Sequence, residues 1–140
     1  MRYLAVDPGA RRMGLAIGND RTGTASPLEV VPYEGVPAAA RRIADTAERL
    51  GADRIVLGLP TLADGSVGPA ARRSEQLAEE LARLGLDAVL QGEYLSTDEA
   101  RRRARAAGRP PRQAVDDLAA QVILEEYLAG LENPQQESGQ

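Results

Sequence analysis

Arg2-Tyr3-Leu4-Ala5-Val6-Asp7-Pro8-Gly9 and, just after it, Met13-Gly14-Leu15-Ala16-Ile17-Gly18 decide how the rest of the chain is read. The first stretch alternates and ends in Pro-Gly, and the second is another short apolar run. They predict two strands joined by a turn over Asp7 to Arg12, so a β-hairpin opens the fold. Thr24 to Val31 supplies a third strand. Pro27 within it has no N–H for a ladder, which suits this strand to a sheet edge.

Further along, Pro37 falls where a first helical turn tolerates proline. Ala40, Ile43, Ala44, Ala47 and Leu50 then share one stripe before Gly51, which predicts an amphipathic helix. Ile55-Val56-Leu57-Gly58-Leu59 is uninterrupted and too short for an independent helix, the pattern of a strand buried on both faces. The loop Pro60 to Pro69 leads into a second helix. There Leu77, Ala78, Leu81 and Leu84 turn inward, and Glu79 precedes Arg83 by one helical turn on the outside. Asp87 to Leu90 is a fifth strand. Ser96 with Glu99 forms a capping box that starts a helix to about Ala107, which Gly108-Arg109-Pro110-Pro111 ends. A last helix runs from about Val115 to Leu131. The pattern predicts an α/β fold with a five-stranded mixed sheet, antiparallel hairpin strands followed by parallel strands through right-handed crossovers, flanked by helices. Residues 1–131 form one domain, and 132–140, polar and without periodicity, a disordered tail.

Composition excludes more than it includes. Among 140 residues there is no histidine, no cysteine and no lysine, so all 17 basic residues are arginine. That removes Ser-His-Asp and Cys-His nucleophiles, Schiff-base lysines, the P-loop lysine, and the thiolate and imidazole ligands zinc prefers. Only oxygen chemistry is left, and the metals that suit it are hard ions such as Mg2+ or Mn2+ held by Asp and Glu. No apolar run approaches the length of a membrane span and no leader is seen at Met1 to Arg12, so a cytoplasmic protein with no membrane partner is expected. The net charge of -4 argues against coating nucleic acid by bulk attraction. The arginines nonetheless cluster, at Arg11 and Arg12, at Arg41 and Arg42, at Arg72 and Arg73, and at Arg101, Arg102, Arg103, Arg105, Arg109 and Arg112. A localised basic face that grips phosphates is one reading, most favoured for the last cluster; solvated helix faces are the other.

In open α/β sheets ligands sit beyond the carboxyl ends of the strands. Asp7 closes the first strand and Glu93 follows the fifth. A turn-forming Asp-Pro-Gly and a solvated strand-end acid are the plain alternatives. On the last helix Asp116 shares a stripe with Ala119, Ala120, Ile123 and Tyr127, whereas Asp117 aligns with Gln121 and Glu125. The phase turns Asp116 to the core and Asp117 to water. Helix-start acids favoured by the macrodipole explain Asp117 better than an inward Asp116. Three gathered carboxylates repel, so such a cluster needs raised pKa values or a bound cation. Two ions about 4 Å apart would serve phosphodiester hydrolysis without histidine.

These residues resemble the YqgF, or RuvX, family of Holliday junction resolvases and pre-16S rRNA nucleases, which have a ribonuclease H-like fold. The resemblance spans nearly all of Met1 to Leu131. It rests on Leu4 to Gly9 with Arg12, Gly14, Ala16 and Gly18, and on Val56 to Pro60 with Asp64-Gly65-Ser66 and Gly68-Pro69. Glu93 with Leu95-Ser96-Thr97 and Glu99-Ala100, and Val115-Asp116 with Ala119-Ala120 and Val122 to Leu124, complete it. The family's acidic residues fall on Asp7, Glu93 and Asp116, which the resemblance makes both catalytic and metal-holding, with two Mg2+ or Mn2+ ions. It also implies phosphate binding by the loop Asp64 to Gly68, through Ser66 and backbone amides. Arg11, Arg12, Arg72, Arg101, Arg102, Arg105 and Arg112 complete the nucleic-acid-binding set. Two departures touch substrate contacts: Gly92-Glu93-Tyr94 stands where the family has Asp-Glu-Arg, and Thr61-Leu62-Ala63 replaces a common Asn. Tyr94 is either a surface ring or a stacking platform.

The implied activity is a metal-dependent endonuclease on branched DNA or structured RNA, with a homodimer suited to symmetric junction cleavage. A nucleic-acid-binding or ribosome-biogenesis factor that keeps the fold without catalysis is the alternative. An ATPase reading, suggested by a similar Asp-x-Gly hairpin in actin-like and sugar-kinase folds, fails on length, because those enzymes enclose nucleotide between two such lobes.

Overall fold

The structure, a computed structural model, describes residues 1–60, 68–93 and 116–132. Five strands, β1 (Arg2–Pro8), β2 (Arg12–Asn19), β3 (Thr24–Pro32), β4 (Arg54–Pro60) and β5 (Ala88–Glu93), form one sheet in the order β3-β2-β1-β4-β5. Among the described residues three helices accompany them: α1 (Val36–Leu50), α2 (Pro69–Arg83) and α3 (Asp116–Glu132). β1, β2 and β3 are an antiparallel meander; β4 runs parallel to β1, and β5 parallel to β4.

The crossovers from β3 to β4 and from β4 to β5 advance in the same direction along the sheet. Right-handedness of both therefore puts α1 and α2 on one face. There Ile43, Ala40, Leu77 and Leu81 pack on Leu4, Val6, Met13, Leu15, Ile55 and Leu57, all fully buried. The opposite face is lined by Tyr3, Ala5, Ala16, Ala25 and Val56, and α3 covers it with Ala120, Ile123, Leu124 and Leu128. Small side chains on both sides let helix and sheet approach closely. Gly18 shows how closely: a β-carbon there would lie 2.6 Å from the Thr24 carbonyl oxygen and 2.7 Å from Leu124 Cδ2.

The hairpin, the edge position of β3 and the double-sided burial of β4 agree with the sequence reading. Pro27 sits beside a register shift, where Leu15 pairs with Glu29 but Ala16 with Pro27, a bulge that lets the strand pass its proline. Several expectations need correction. β5 begins at Ala88 and extends to Glu93, which ends the strand rather than following it. In α1 the buried stripe is Ala39, Ala40, Ile43, Thr46 and Ala47, while Ala44 and Leu50 are only half-buried. In α2, Leu84 is 49% exposed. The helix has stopped: Gly85 turns left-handed (φ 84°) and the Leu86 N–H returns to the Leu81 carbonyl, so Leu86 packs inward in place of Leu84. Arg83 pairs with Glu80 at 3.0 Å rather than with Glu79. In α3 the buried face is broader than one stripe, adding Leu118, Val122 and Leu128. Gln121, read as facing water, is half-buried and donates from Nε2 to the Ala25 carbonyl (3.0 Å), because α3 also lies over β3. The capping box and its helix, and the tail, lie outside the described residues. Among the described residues no helix is long and apolar enough to cross a membrane.

Candidate nuclease site at the carboxyl edge of the sheet

Asp7 is half-buried near the end of the central strand, opposite Gly14 of β2. Strand alternation puts it on the same face as Tyr3 and Ala5, the face covered by α3. The turn beyond it is tight. The Gly9 N–H donates to the Arg12 carbonyl (2.8 Å), and a β-carbon at Gly9 would meet that oxygen at 2.7 Å, so the backbone has room only for glycine.

Strand register locates Glu93. Val6 aligns with Leu57 and Leu57 with Leu90, so Asp7 is level with Gly58 and Gln91. Glu93, the last residue of β5, lies opposite Pro60, two residues further toward the carboxyl edge. β1 and β5 flank β4, two strand spacings or about 10 Å apart. With the offset along the strand, the Asp7 and Glu93 backbones are on the order of 12 Å apart.

α3 approaches the same edge from the opposite end of the sheet. Its Tyr127 ring stacks edge-on against Tyr3 at the start of β1, with ring centroids 5.5 Å apart. The Tyr127 hydroxyl accepts a hydrogen bond from Arg54 Nη1 (2.8 Å) at the start of β4. Arg54 also pairs through Nε with Asp87 Oδ2 (2.7 Å). From Tyr127 back to Asp116 is about 16 Å of helix, and from Tyr3 to Asp7 about 13 Å of strand. The first residue of α3 is thus brought level with Asp7. The side chains of Glu93 and Asp116 lie outside the described residues, and among the described residues no three acidic side chains converge.

The donor chemistry fits a hard divalent ion: without histidine or cysteine the chain offers oxygen ligands, and the backbone brings three acidic positions to one edge. Of the expected phosphate-binding residues, Arg11 is exposed in the β1–β2 turn, Arg12 is exposed at the head of β2, and Arg72 is exposed in the first turns of α2. Ser66, Arg101, Arg102, Arg105 and Arg112, together with Tyr94, lie outside the described residues. Gly92 stands in open space, with nothing near where its β-carbon would be, so packing does not demand glycine there.

Residues 1–130 match the family described as RuvX, Holliday junction resolvase. The chain belongs to the RuvX family. Among its relatives, a protein of Anaeromyxobacter sp. named "Putative pre-16S rRNA nuclease" is 44% identical over 93% of this chain and 98% of its own length. One of the same name from Pelotomaculum thermopropionicum is 34% identical over 99% of this chain and 94% of its own. Among solved structures, RuvC of T. thermophilus in complex with a Holliday junction substrate superposes with a TM-score of 0.58 at 15% identity, covering 95% of this chain and 96% of that one. The fowlpox virus resolvase with Holliday junction DNA gives 0.56 at 14% identity, over 94% and 99%. The solved structures agree with the fold read from the sequence, a ribonuclease H-like mixed five-stranded sheet.

One surface feature was not anticipated from the sequence. Tyr33, just past β3, and Gly68, Pro69, Arg72, Arg73 and Gln76 at the start of α2 line an open cleft of about 530 Å³. Arg72 and Arg73 were read as a cluster and Gly68 as the end of a phosphate-binding loop, but Tyr33, far from them in the chain and in no motif, was not connected with either.

Proposed function

We propose that this chain, a nuclease by family, is a divalent-metal-dependent phosphodiesterase in which Asp7, Glu93 and Asp116 hold Mg2+ or Mn2+, two ions in the full site. Its substrates are branched DNA, as in Holliday junction resolution, or structured RNA, as in 5′-end processing of pre-16S rRNA. The observation that carries this is the arrival of three acidic backbone positions from β1, β5 and α3 at one edge of the sheet. A backbone span on the order of 12 Å is one that two carboxylate side chains and an ion with ~2.1 Å bonds can cover. When bound, such ions stabilise the charge that develops on the phosphoryl and leaving oxygens. The protein's own part is positional. Asp7 is held by a turn that admits no other residue at Gly9, and Arg11 and Arg12 in that turn offer guanidinium groups to the phosphates beside the scissile bond. Arg72, Ser66 and the arginines from Arg101 to Arg112 extend the grip. The location that goes with these substrates is the cytoplasm, and symmetric cutting of a four-way junction calls for a homodimer.

The test compares wild type with Asp7→Asn on a four-way junction, a duplex and a structured RNA in Mn2+. Cleavage falls by on the order of a hundredfold or more in the variant, with binding retained. Equal activity in both proteins overturns the proposal. The second reading, a binding or ribosome-biogenesis factor without catalysis, draws on Gly92, which leaves open space beside Glu93 at the edge strand. It prevails if Mn2+ gives neither binding heat nor cleavage.

A further inference from the structure

The cleft between Tyr33 and the head of α2 lies on the α1–α2 side of the sheet, away from the face that carries Asp7. Two guanidinium groups line it, from Arg72 and Arg73. Among the described residues neither is ion-paired, although Glu75 lies one turn along the same helix and Glu34 follows Tyr33. Unpaired neighbouring cations repel, so their arrangement on the surface of an acidic protein needs a reason. Arg73 is held instead by an aromatic face: its guanidinium carbon sits 5.5 Å from the centroid of the Tyr33 ring. A guanidinium stacked on a ring keeps its N–H edge free for an anion, and its charge is not cancelled. The first amides of α2 add to the attraction, since Gly68 caps the helix without any side-chain hydrogen bond and Pro69 follows it.

The cleft is also tied to the candidate site. The Tyr33 N–H donates to the Arg11 carbonyl (2.8 Å), in the turn that follows Asp7. Tyr33 continues β3, which is two strands from β1, about 10 Å across the sheet. A strand bound in the cleft could therefore pass over the Arg11–Arg12 turn to the Asp7 side within a few nucleotides.

We infer that Tyr33, Arg72, Arg73 and Gln76 form a second phosphodiester-binding subsite, which holds the single-stranded nucleic acid flanking the scissile bond on the face opposite the carboxylates. It rests on the nuclease reading for its role but not for its test, which measures binding without metal. Arg72 and Arg73 take backbone phosphates, Gln76 offers a further donor, and Tyr33 orients Arg73.

The experiment is fluorescence anisotropy of a labelled single-stranded oligonucleotide in EDTA, over a series of salt concentrations, with the double variant R72A/R73A. Loss of two phosphate contacts lowers the slope of log affinity against log salt by about 1.4, and weakens binding roughly tenfold at low salt. Arg83→Ala removes one such charge from the far end of the same helix and leaves the slope unchanged. Tyr33→Leu gives an intermediate loss, and Tyr33→Phe, which keeps the ring, restores wild-type binding. An unchanged slope in R72A/R73A overturns the subsite, whatever the cleavage assay shows. Loss of cleavage in Asp7→Asn with Mn2+ is read separately, so the nuclease reading can stand if the subsite falls, and the reverse.

Discussion

At the scale of single residues, two glycines and one aspartate carry most of the consequence. Gly18 lets α3 touch the sheet, and the obstacle to a side chain there is the Thr24 backbone carbonyl, which cannot swing away. Gly18→Ala is expected to cost about 1–3 kcal/mol, read as a lower urea midpoint with unchanged slope. Gly9→Ala would strain the turn that carries Asp7, so it lowers cleavage more than stability. The position of Asp7 near the end of β1 was readable, because a carboxylate at the tip of an apolar strand next to Pro-Gly is conspicuous in any alternation pattern. Leu84 was misread for the converse reason. Helical phase says where a side chain points only while the helix continues, and it gives no sign that Gly85 ends the helix one residue later and hands the inward place to Leu86. Nor does any spacing rule pair Tyr33 with Arg73; their contact exists only because the β3 end and the α2 start meet at one edge.

Among the elements, α3 is the one whose placement the candidate site depends on. It is moored at its far end: Tyr127 lies edge-on to Tyr3 and accepts from Arg54, which in turn holds Asp87. Removing only the hydroxyl, in Tyr127→Phe, leaves the half-buried Arg54 guanidinium short of one acceptor and is expected to cost about 1 kcal/mol. A double-mutant cycle with Arg54→Met isolates that bond from the ring contact. α2 is anchored differently, by the fully buried Ser74, whose hydroxyl donates to the Gly58 carbonyl (2.6 Å). Ser74→Ala leaves that carbonyl without its extra donor, at a cost of about 1–2 kcal/mol in thermal or urea unfolding. The strands were legible because their apolar runs are short and punctuated, and β3 because Pro27 marked it as an edge. The breadth of the buried face of α3 was not, since it packs across several strands and periodicity alone predicts a single stripe.

For the whole molecule, pH and salt are the informative variables. Asp20 is held below the ordinary carboxyl range by a hydrogen bond from the N-terminal ammonium (3.0 Å) and by the Tyr3 hydroxyl. Its contribution is present above its unfolded pKa and is lost as pH falls through the lower folded value, so stability declines on acidification below about pH 4. Tyr3 is pushed above its ordinary value near 10.0 by burial and then by the charge of Asp20 and their hydrogen bond. The folded state therefore keeps that proton longer than the unfolded state, and stability declines as pH rises past about 10. Thermal unfolding across this range should show both flanks, and Tyr3→Phe should flatten the alkaline one. The arrangement of layers has a further consequence for biosynthesis. α1 and α2 close their side of the sheet as soon as β4 and β5 have been made, whereas α3, which covers Ala5, Ala16, Ala25 and Val56 on the other side, is the last of the described elements to leave the ribosome. A nascent chain that still lacks α3 is thus an open-faced sheet, with an apolar surface that chaperones can hold until the last helix docks.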